Sequence, residues 1–345
     1  MLLLQTKKEY NNHKVNFIAF VTSLLFALHP LHTEAVANVK GLDEILTKVM
    51  VLWRDDRQTV EQYADKVTGL VKQHLQASNK PGKVNTDSID KSFNKFASSY
   101  DSEYGGFGNA PKFPRMAVFD FLLSYGQHHK TNNAHAMVNN SFEHMLRGGI
   151  YDQVGGGFHR YAVDAQWQVP HFEKMLYDQA LIARAYLFAD RRSREDRYAR
   201  VAREVLDFTL AQMRDTDGGF YSALSADSPV PGNPSGHMEE GAYYIWTWRQ
   251  LSEALDDDQL RDWLAASYGV SERGNAIDDH IGEVGGKNVL YAALDEKELA
   301  KEFKADLITV NQRNARIDDL LLKARSQRPA DPVDDTVATG RNRYM

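Results

Sequence analysis

A short acidic, glycine-rich turn that ends in phenylalanine occurs three times and constrains the fold more than any other feature. The copies read DSEYGGF at 101–107, DQVGGGF at 152–158 and DTDGGF at 215–220. Segments with apolar residues at helical spacing lie between them. Glycine permits positive φ where a helix ends, and phenylalanine can anchor such a turn in the core. The recurrence predicts stacked helical hairpins. The alternative is that the three turns are unrelated helix ends.

Helical periodicity predicts the elements around these turns. The predicted helices are 54–78, 87 or 88 to 100, 117–128, 139–147, 171–189, 194–214, 248–255, 261–268 with Gly269 at its end, and 296–328 with a break near Asp306. The aromatic run GAYYIWT at 241–247 predicts a short strand. The segment 77–86 has the composition of a linker, and the polar tail 329–345 predicts disorder.

Composition limits the function classes. The chain has 345 residues, enough for one large domain or two ordinary ones, and 43% hydrophobic with 26% charged residues is typical of a globular protein. A net charge of −6 argues against a nucleic-acid binder. There is no cysteine, so disulfides, thiolate metal sites and cysteine nucleophiles are excluded. We expect a cytoplasmic protein.

The apolar segment 15–28 leaves membrane or secretory targeting open. Its fourteen residues are fewer than the roughly 20 that a membrane span needs. Lysines precede it, as in a signal peptide, but no small-residue cleavage site follows closely. A membrane role is therefore the less favoured interpretation, and a buried or truncated helix is the alternative.

The stretch 148–178 carries the candidate site. It reads GGIYDQVGGGFHRYAVDAQWQVPHFEKMLYD and mixes glycines, aromatic rings and ionisable groups, which a polar ligand cleft requires. Pro170 suits the first position of a helix, so His171, Lys174 and Asp178 should share one helical face beside Glu173 and Tyr177. The helix N-terminus would lower the pKa of a nearby histidine and make it a usable base.

Each of these residues also has an ordinary structural interpretation. A histidine in a first helical turn is more often structural than catalytic, Lys174 and Asp178 can form an i, i+4 ion pair, and Trp167 can be core. No metal is expected, because His159 and His171 are twelve residues apart and no HExxH pair exists. No Walker loop, GxSxG elbow or dinucleotide fingerprint is present, so no cofactor is expected.

Four motifs identify the chain as similar to the spermatogenesis-associated protein 20 (YyaL-like) family over roughly residues 53–335. They are GGFGNAPKFP at 105–114, the 148–178 stretch, SADS with EEGAYYIWT within 225–247, and GGKNVLY at 285–291. The resemblance implies a thioredoxin-like domain followed by an (α/α)₆ toroid similar to N-acylglucosamine 2-epimerases and six-hairpin glycosidases. The expected fold class is therefore mainly α, a partial (α/α)₆ toroid of helical hairpins with a short β-hairpin insertion.

Three departures from the family pattern shape the expected domains. The thioredoxin-like domain is missing apart from a closing helix, Ser225 stands where the family has aspartate, and the tail matches a family element only in degraded form. We expect a foreign or truncated segment at 1–50, a remnant helix and linker at 51–85, a partial toroid at 86–328 and a disordered tail at 329–345. Within the first of these, residues 24–46 resemble a fragment of the tetratricopeptide-repeat O-mannosyltransferases.

The favoured function is carbohydrate chemistry, with a small-molecule sugar as partner. Aromatic rings would support the sugar, and acid/base groups would transfer protons. The candidate catalytic residues are His159, His171, Glu173, Asp152 and Asp178. The candidate substrate-binding residues are Arg160, Tyr161, Trp167, Lys174, Tyr177 and Lys112. His159 and His171 would serve epimerisation, and Glu173 with Asp152 or Asp178 would serve hydrolysis.

The alternative function is a non-catalytic sugar- or protein-binding scaffold, which truncation favours. An incomplete toroid exposes apolar helix faces and so favours homo-oligomerisation. The missing family domain would suggest a redox partner, but a chain without cysteine cannot itself perform thiol chemistry.

Overall fold

The computed structural model describes residues 47–48, 50–78, 87–193, 196–233, 235–255, 257–276 and 284–345. The chain divides into two compact units, Met1–Asn85 and Thr86–Met345. In the first unit, helix α1 spans Arg57–Ser78, as the periodicity predicts. The apolar segment 15–28, the stretch 24–46 and linker residues 79–86 lie outside the described residues.

Two helical hairpins form the first half of the second unit. Helix α2 (Asp87–Ser99) precedes the hairpin of α3 (Met116–His129) and α4 (Asn132–Arg147), and the second hairpin consists of α5 (Leu176–Ser193) and α6 (Asp196–Gln212). Lys130 ends α3 in the left-handed conformation, and Thr131 caps α4. Their shared core is rich in aromatic rings, including Phe119, Phe142 and Tyr186, because large rings fill the space between hairpins.

The three glycine-rich turns have the same backbone geometry. In each, the residue before the aspartate forms a β-bridge with the phenylalanine, as in the pairs Tyr100–Phe107, Tyr151–Phe158 and Arg214–Phe220. The aspartate N–H donates to the glycine before the phenylalanine over 3.0–3.1 Å. Both glycines before each phenylalanine have positive φ. The turns are therefore a true structural repeat, and the interpretation as unrelated helix ends is wrong.

The helix predicted at 171–189 begins at Leu176, so its predicted start is wrong. Pro170–His171 is instead strand β2, paired antiparallel with β1 (Tyr161–Ala162), and Lys174–Met175 is strand β3. Proline is as compatible with the start of an edge strand as with the start of a helix. His171 and Lys174 consequently do not share a helical face with Asp178.

The tail predicted to be disordered carries two elements. Strand β7 (Val333–Asp334) extends a three-stranded sheet in the order β3, β4 (Ala223–Leu224), β7, and α11 spans Thr339–Asn342. The Asn342 side chain accepts from Phe220 N–H at 2.7 Å and donates to Phe220 O at 3.0 Å. Backbone pairing and this side-chain bridge order the segment without an apolar face, which is why composition misjudged it.

The strand predicted at 241–247 is a turn. The strands of the β-hairpin lie just before it, as β5 (Asp227–Pro229) and β6 (Met238–Glu240). Gly241 has φ of 71°, and its carbonyl accepts from Tyr244 N–H and Ile245 N–H. The aromatic run then buries Tyr244 and Trp246 in two different clusters. The run is apolar because it is buried, and not because it is extended.

Four helices form a second core. They are α7 (Trp248–Ala254), α8 (Asp258–Tyr268), α9 (Glu296–Glu302) and α10 (Leu307–Arg325), and α10 packs against the other three. Gly269 ends α8 in the left-handed conformation, as predicted. Asp306 caps α10 by accepting from Thr309 N–H at 2.7 Å, so the predicted break in the long helix is confirmed.

The predicted mainly α class and the short β-hairpin are confirmed. The second unit is mainly helical, it contains helical hairpins, and β5–β6 is the short β-hairpin insertion, while the partial (α/α)₆ toroid stays a prediction. No helix among the described residues is both long and apolar enough to cross a membrane.

Two glycines in the repeated turns provide a matched stability test. A methyl group at Gly157 would lie 2.5 Å from the buried Phe208 ring, whereas one at Gly218 would meet nothing within 4 Å. Both have positive φ, so both substitutions carry left-handed strain of about 1–2 kcal/mol. Gly157→Ala should add about 1–3 kcal/mol of overpacking and Gly218→Ala should not. Urea unfolding measures both. Equal losses would contradict the described packing of the second turn.

Candidate functional site

The sequence candidates separate into an interior group and a second group whose members are buried or partly exposed. The interior residues are Lys112, Asp152, His159, Trp167 and Lys174, all with at most 6% of their surface exposed. The second group lies along β1, β2 and the start of α5 and consists of Arg160, Tyr161, His171, Glu173, Tyr177 and Asp178. With Phe113 and Glu240, which lie against them, we name these residues the His171 cluster.

The interior group centres on the carboxylate of Asp152. Its Oδ2 accepts from Lys174 Nζ at 2.8 Å, and its Oδ1 accepts from Arg325 at 2.8 Å. Oδ1 also accepts from the N–H groups of Val154 and Gly155. Burial alone would raise the pKa of Asp152, but the charges of Arg325 and Lys174 outweigh it and hold that pKa well below its usual range. Both oxygens of the Asp152 carboxylate are therefore hydrogen bonded to groups of the protein itself.

His159 is a buried histidine held neutral by its surroundings. Its Nδ1 lies 2.9 Å from the carbonyl oxygen of Phe172, and its ring meets Tyr244 edge to face. Burial, reinforced by the positive charge of Lys174, lowers its pKa well below the usual value. His159 is therefore packed in the interior, where it has almost no access to solvent.

The cavity beside His159 is too small for a sugar. Its volume is about 20 Å³, which is room for a water molecule. Its lining includes Asp152, His159, Tyr244 and Arg325. A monosaccharide would require these side chains to separate, so the favoured site lies elsewhere in the 148–178 stretch.

Lys112 and Trp167 stabilise the first turn. Lys112 Nζ donates to Asp101 Oδ2 at 2.5 Å and to Ala165 O at 2.7 Å. Trp167, which has a φ of 67°, donates its indole N–H to Tyr104 O at 2.9 Å. Both side chains are fully buried, so their polar atoms satisfy backbone and carboxylate partners rather than a ligand.

Strand pairing assembles the His171 cluster. Tyr161 and His171 are directly opposite on β1 and β2, and their rings stack with centroids 4.9 Å apart. Phe113 also stacks on Tyr161, with the two ring centroids 4.6 Å apart, and 40% of the surface of Phe113 is exposed. An exposed aromatic ring beside polar side chains can serve as a platform for a sugar ring.

His171 is oriented by a carboxylate. Its Nδ1 lies 2.7 Å from Glu240 Oε1, and its Nε2 lies 4.0 Å from Glu173 Oε2. Glu173 also accepts from Arg160 at 2.8 Å. An Nδ1–H donated to a carboxylate fixes the imidazole tautomer in which Nε2 carries the lone pair. The arrangement gives a base of defined orientation beside a second carboxylate.

Asp178 holds a proton at neutral pH. Burial, only partly offset by the charge of Arg160, raises the pKa of Asp178 to about 8, and the negative charge of Glu173 adds to the rise. Its Oδ2 is buried and has no hydrogen-bond partner among the described residues. A neutral carboxylic acid is a group that supports general acid chemistry.

Sequence reasoning missed three residues of these sites. Glu240 and Phe113 lie in motifs that carried the family resemblance, but nothing local assigned them to His171 or Tyr161. Arg325 reaches Asp152 across 173 residues. An isolated arginine near the end of a periodic helix gives no sign of such a partner. Among the residues that the structure describes, no group of three or more histidine or acidic side chains is placed to hold a metal ion.

Comparisons with known proteins give a similarity over most of this chain and a separate short match. Spermatogenesis-associated protein 20 of Homo sapiens is 33% identical over 322 residues, which is 88% of this chain and 41% of that protein. The chain therefore spans about two fifths of the relative's length. Protein O-mannosyl-transferase Tmtc3 of Drosophila melanogaster is 54% identical over 39 residues, 11% of this chain and 4% of that protein. Both resemblances stated from the motifs are confirmed.

The structural likenesses are weaker. Cellobiose 2-epimerase from Bacillus thermoamylovorans shares 11% identity over 70% of each chain with a TM-score of 0.37. No protein-family model matches the chain.

The buried Asp152 carboxylate should contribute far more to stability than its counterpart in the third turn. Asp152→Asn removes the charge that compensates Lys174 and Arg325, so it should lower the free energy of unfolding by about 3–5 kcal/mol. Asp215→Asn, in the equivalent turn position, should cost about 0.5 kcal/mol or less because the amide oxygen still accepts. Denaturant unfolding near neutral pH compares them.

The Asp152 difference should also depend on pH in a defined direction. A carboxyl whose folded pKa is depressed stabilises the fold above its unfolded pKa and loses that contribution in acid. The difference in free energy of unfolding between Asp152→Asn and the parent should therefore become smaller below about pH 4. A difference that is constant with pH, or no larger than that of Asp215→Asn, would show that the ion network does not hold these elements.

Asp178 should show the opposite pH dependence. Its raised folded pKa means that folding favours the protonated acid, so the parent loses stability as pH rises from the unfolded value of 3.8 to about 8. Asp178→Asn removes this loss. Its stability relative to the parent should increase by about 3 kcal/mol between about pH 5 and 7. A pH-independent difference would mean that Asp178 is ionised throughout.

Proposed function

We propose that this homologue of Spermatogenesis-associated protein 20 binds a carbohydrate at the His171 cluster and catalyses proton transfer on it, in the manner of a sugar epimerase. The whole relative is longer than this chain, and the proposal concerns the chemistry that these residues support. Of the candidates at 148–178, the proposal keeps Arg160, Tyr161, His171, Glu173, Tyr177 and Asp178. Asp152, His159, Lys112, Trp167 and Lys174 receive structural roles.

The observation that carries the proposal is the contact between His171 and Glu240. A carboxylate 2.7 Å from Nδ1 orients the ring and stabilises the imidazolium that forms when Nε2 takes a proton. The side chain of His171 is 12% exposed, so it is largely buried but still reaches the surface. A purely structural histidine in the same chain, His159, is bonded to a backbone carbonyl and is fully enclosed.

Asp178 supplies the complementary acid. With a pKa of about 8 it carries a proton at neutral pH, and it interacts electrostatically with both members of the Arg160–Glu173 ion pair. In an epimerase-like step, His171 Nε2 removes the proton from the carbon beside the sugar carbonyl and Asp178 donates its proton to the carbonyl oxygen. Rotation of the enediol about the neighbouring C–C bond then turns its other face to His171. The imidazolium returns its proton to the carbon and Asp178 takes back the hydroxyl proton, so the carbon is inverted and both groups regain their starting states.

The stacked aromatic rings would support the substrate. Phe113, Tyr161 and His171 form a continuous stack, and the exposed face of Phe113 lies at its outer end. Sugar rings pack their apolar C–H faces on such platforms, while Arg160 and Tyr177, which are hydrogen bonded to each other, offer donors for hydroxyl groups. Glycoside hydrolysis by Glu173 and Asp178 is a second candidate, because hydrolysis needs a pair of carboxyl groups and these two interact electrostatically.

Hydrogen exchange at the sugar tests the proposal directly. The chain is incubated with reducing sugars in deuterated buffer, and NMR follows deuterium incorporation next to the carbonyl and appearance of the epimer. His171→Asn should lower the rate by roughly 10²–10⁴ and leave sugar binding largely intact, because only the proton transfer is lost. His128→Asn, at an exposed position of α3, is the control and should change nothing.

Two results would contradict the proposal. Sugar binding without exchange or bond cleavage in the parent would favour the scaffold alternative. Exchange that persists in His171→Asn would show that another group acts as the base. Release of new reducing ends from glycosides, abolished by Glu173→Gln, would instead establish hydrolysis.

A further inference from the structure

Trp167 has a backbone conformation that a bulky residue adopts only under constraint. Its φ of 67° lies in the left-handed region, and its side chain is fully buried. Such a conformation is unfavourable for a residue with a large side chain and persists only where the surrounding structure fixes it. Trp167 lies in the loop that joins β1 to β2, four residues before His171. The constraint therefore acts on the segment that leads to the candidate base.

The first glycine-rich turn and the residues just after it supply this constraint. The indole N–H of Trp167 donates to Tyr104 O at 2.9 Å, and a methyl group added at Gly106 would lie 2.6 Å from the indole ring. Lys112 donates from Nζ to Ala165 O in the same loop at 2.7 Å. A segment that is distant in sequence therefore fixes the conformation of the loop between β1 and β2.

The strands on either side of this loop are too short to fix their own register. β1 and β2 form two residue pairs, one of which joins Tyr161 to His171. An isolated pair of strands is marginally stable at best, and a slip of one residue turns every side chain of a strand to its opposite face. His171 would then face away from Glu240, whose carboxylate lies 2.7 Å from its Nδ1. The orientation of the candidate base therefore needs support from outside the strand pair.

We propose that Trp167 is a positioning residue, which the first glycine-rich turn holds in place and which fixes the β1–β2 loop so that His171 faces Glu240. Trp167 acts through the backbone of the loop, because its own side chain is fully enclosed. The first turn thereby acquires a role at the His171 cluster. The effect on catalysis rests on the proposed function, whereas the orientation of His171 can be measured without a substrate.

Two nearby glycines provide matched variants for the test. Gly106→Ala should displace the indole of Trp167, since the added methyl group would lie 2.6 Å from the ring. Gly108→Ala is the control, because Gly108 has a similar positive φ but a methyl group there would meet nothing within 4 Å. Backbone strain is therefore alike in the two variants, and they differ in the contact with Trp167.

NMR of the full chain with ¹⁵N-labelled histidine reads the orientation of His171, and His171→Asn assigns its resonance. In the parent, Glu240 should hold the Nδ1 proton of His171, which should exchange slowly with water. In Gly106→Ala this proton should exchange at least roughly tenfold faster, because a hydrogen bond to a carboxylate is lost. In Gly108→Ala it should exchange as in the parent.

A second pair of variants decides the matter if Gly106→Ala does not fold. Trp167→Phe keeps an aromatic ring and removes the indole N–H. Trp263→Phe is its control, since Trp263 is equally buried and donates its indole N–H to Asn314 Oδ1 at 2.8 Å in the second core. Trp167→Phe should speed exchange of the His171 proton and lower kcat for deuterium incorporation by roughly 10- to 100-fold, with KM within about twofold of the parent. Trp263→Phe should do neither.

Two results would overturn the positioning role. The first is slow exchange of the His171 proton in the folded Gly106→Ala or Trp167→Phe chain. The second is equal acceleration of that exchange in Gly108→Ala or Trp263→Phe, which would show a general effect of lost packing or strain.

The outcomes also distinguish this inference from the function on which its catalytic effect rests. If the parent incorporates no deuterium into any sugar, the proposed function fails, and the exchange of the His171 proton still decides the positioning role. If that proton exchanges rapidly in the parent, Glu240 does not hold it, and the positioning role is overturned.

Discussion

The buried carboxylate of Asp152 is the interaction on which the arrangement of the second unit depends. It receives charged hydrogen bonds from Lys174 on β3 and Arg325 at the end of α10, so it joins the second turn to a sheet and to the second helical core. Charged groups inside a protein are tolerated only when they are paired with good geometry and well hydrogen bonded. Here the backbone N–H groups of the turn complete the shell. The turn therefore fixes the starting position of the next segment, which leads to His171.

The same turn occurs three times, and its aspartate has different partners in each copy. In the first copy the aspartate binds buried Lys112, in the second it binds Lys174 and Arg325, and in the third Asp215 accepts from Tyr221 near the surface. The backbone of all three is alike because two glycines with positive φ and an aspartate that caps its own turn determine it locally. The second copy differs in being followed by a polar strand pair, and this pair carries the candidate site.

Sequence reasoning predicted what local chemistry determines and missed what distant contacts determine. The repeated turn, Gly269 and the cap at Asp306 are local signals, and the structure confirms each of them. The helix start at Pro170 is wrong because proline suits a strand start equally well, and the pairing with Tyr161 decided the matter. Glu173 lies 4.0 Å from His171 and interacts electrostatically with Asp178, but His171 lies on a paired strand and not on the helical face that the sequence predicted. Glu240, which orients His171 from 69 residues away, could not be assigned without the fold.

The stretch 148–178 forms two adjoining regions, an enclosed ionic network that holds the fold and the His171 cluster, at which we propose that a ligand binds. The central claim about this cluster is that Asp178 carries a proton at neutral pH. Carbon-detected NMR of the aspartate carboxyl groups, with Asp178→Asn to assign the resonance, measures this directly. The account predicts a titration midpoint of about 8 for Asp178. A midpoint near the ordinary value of 3.8 would show an ionised carboxylate and would contradict the acid–base assignment.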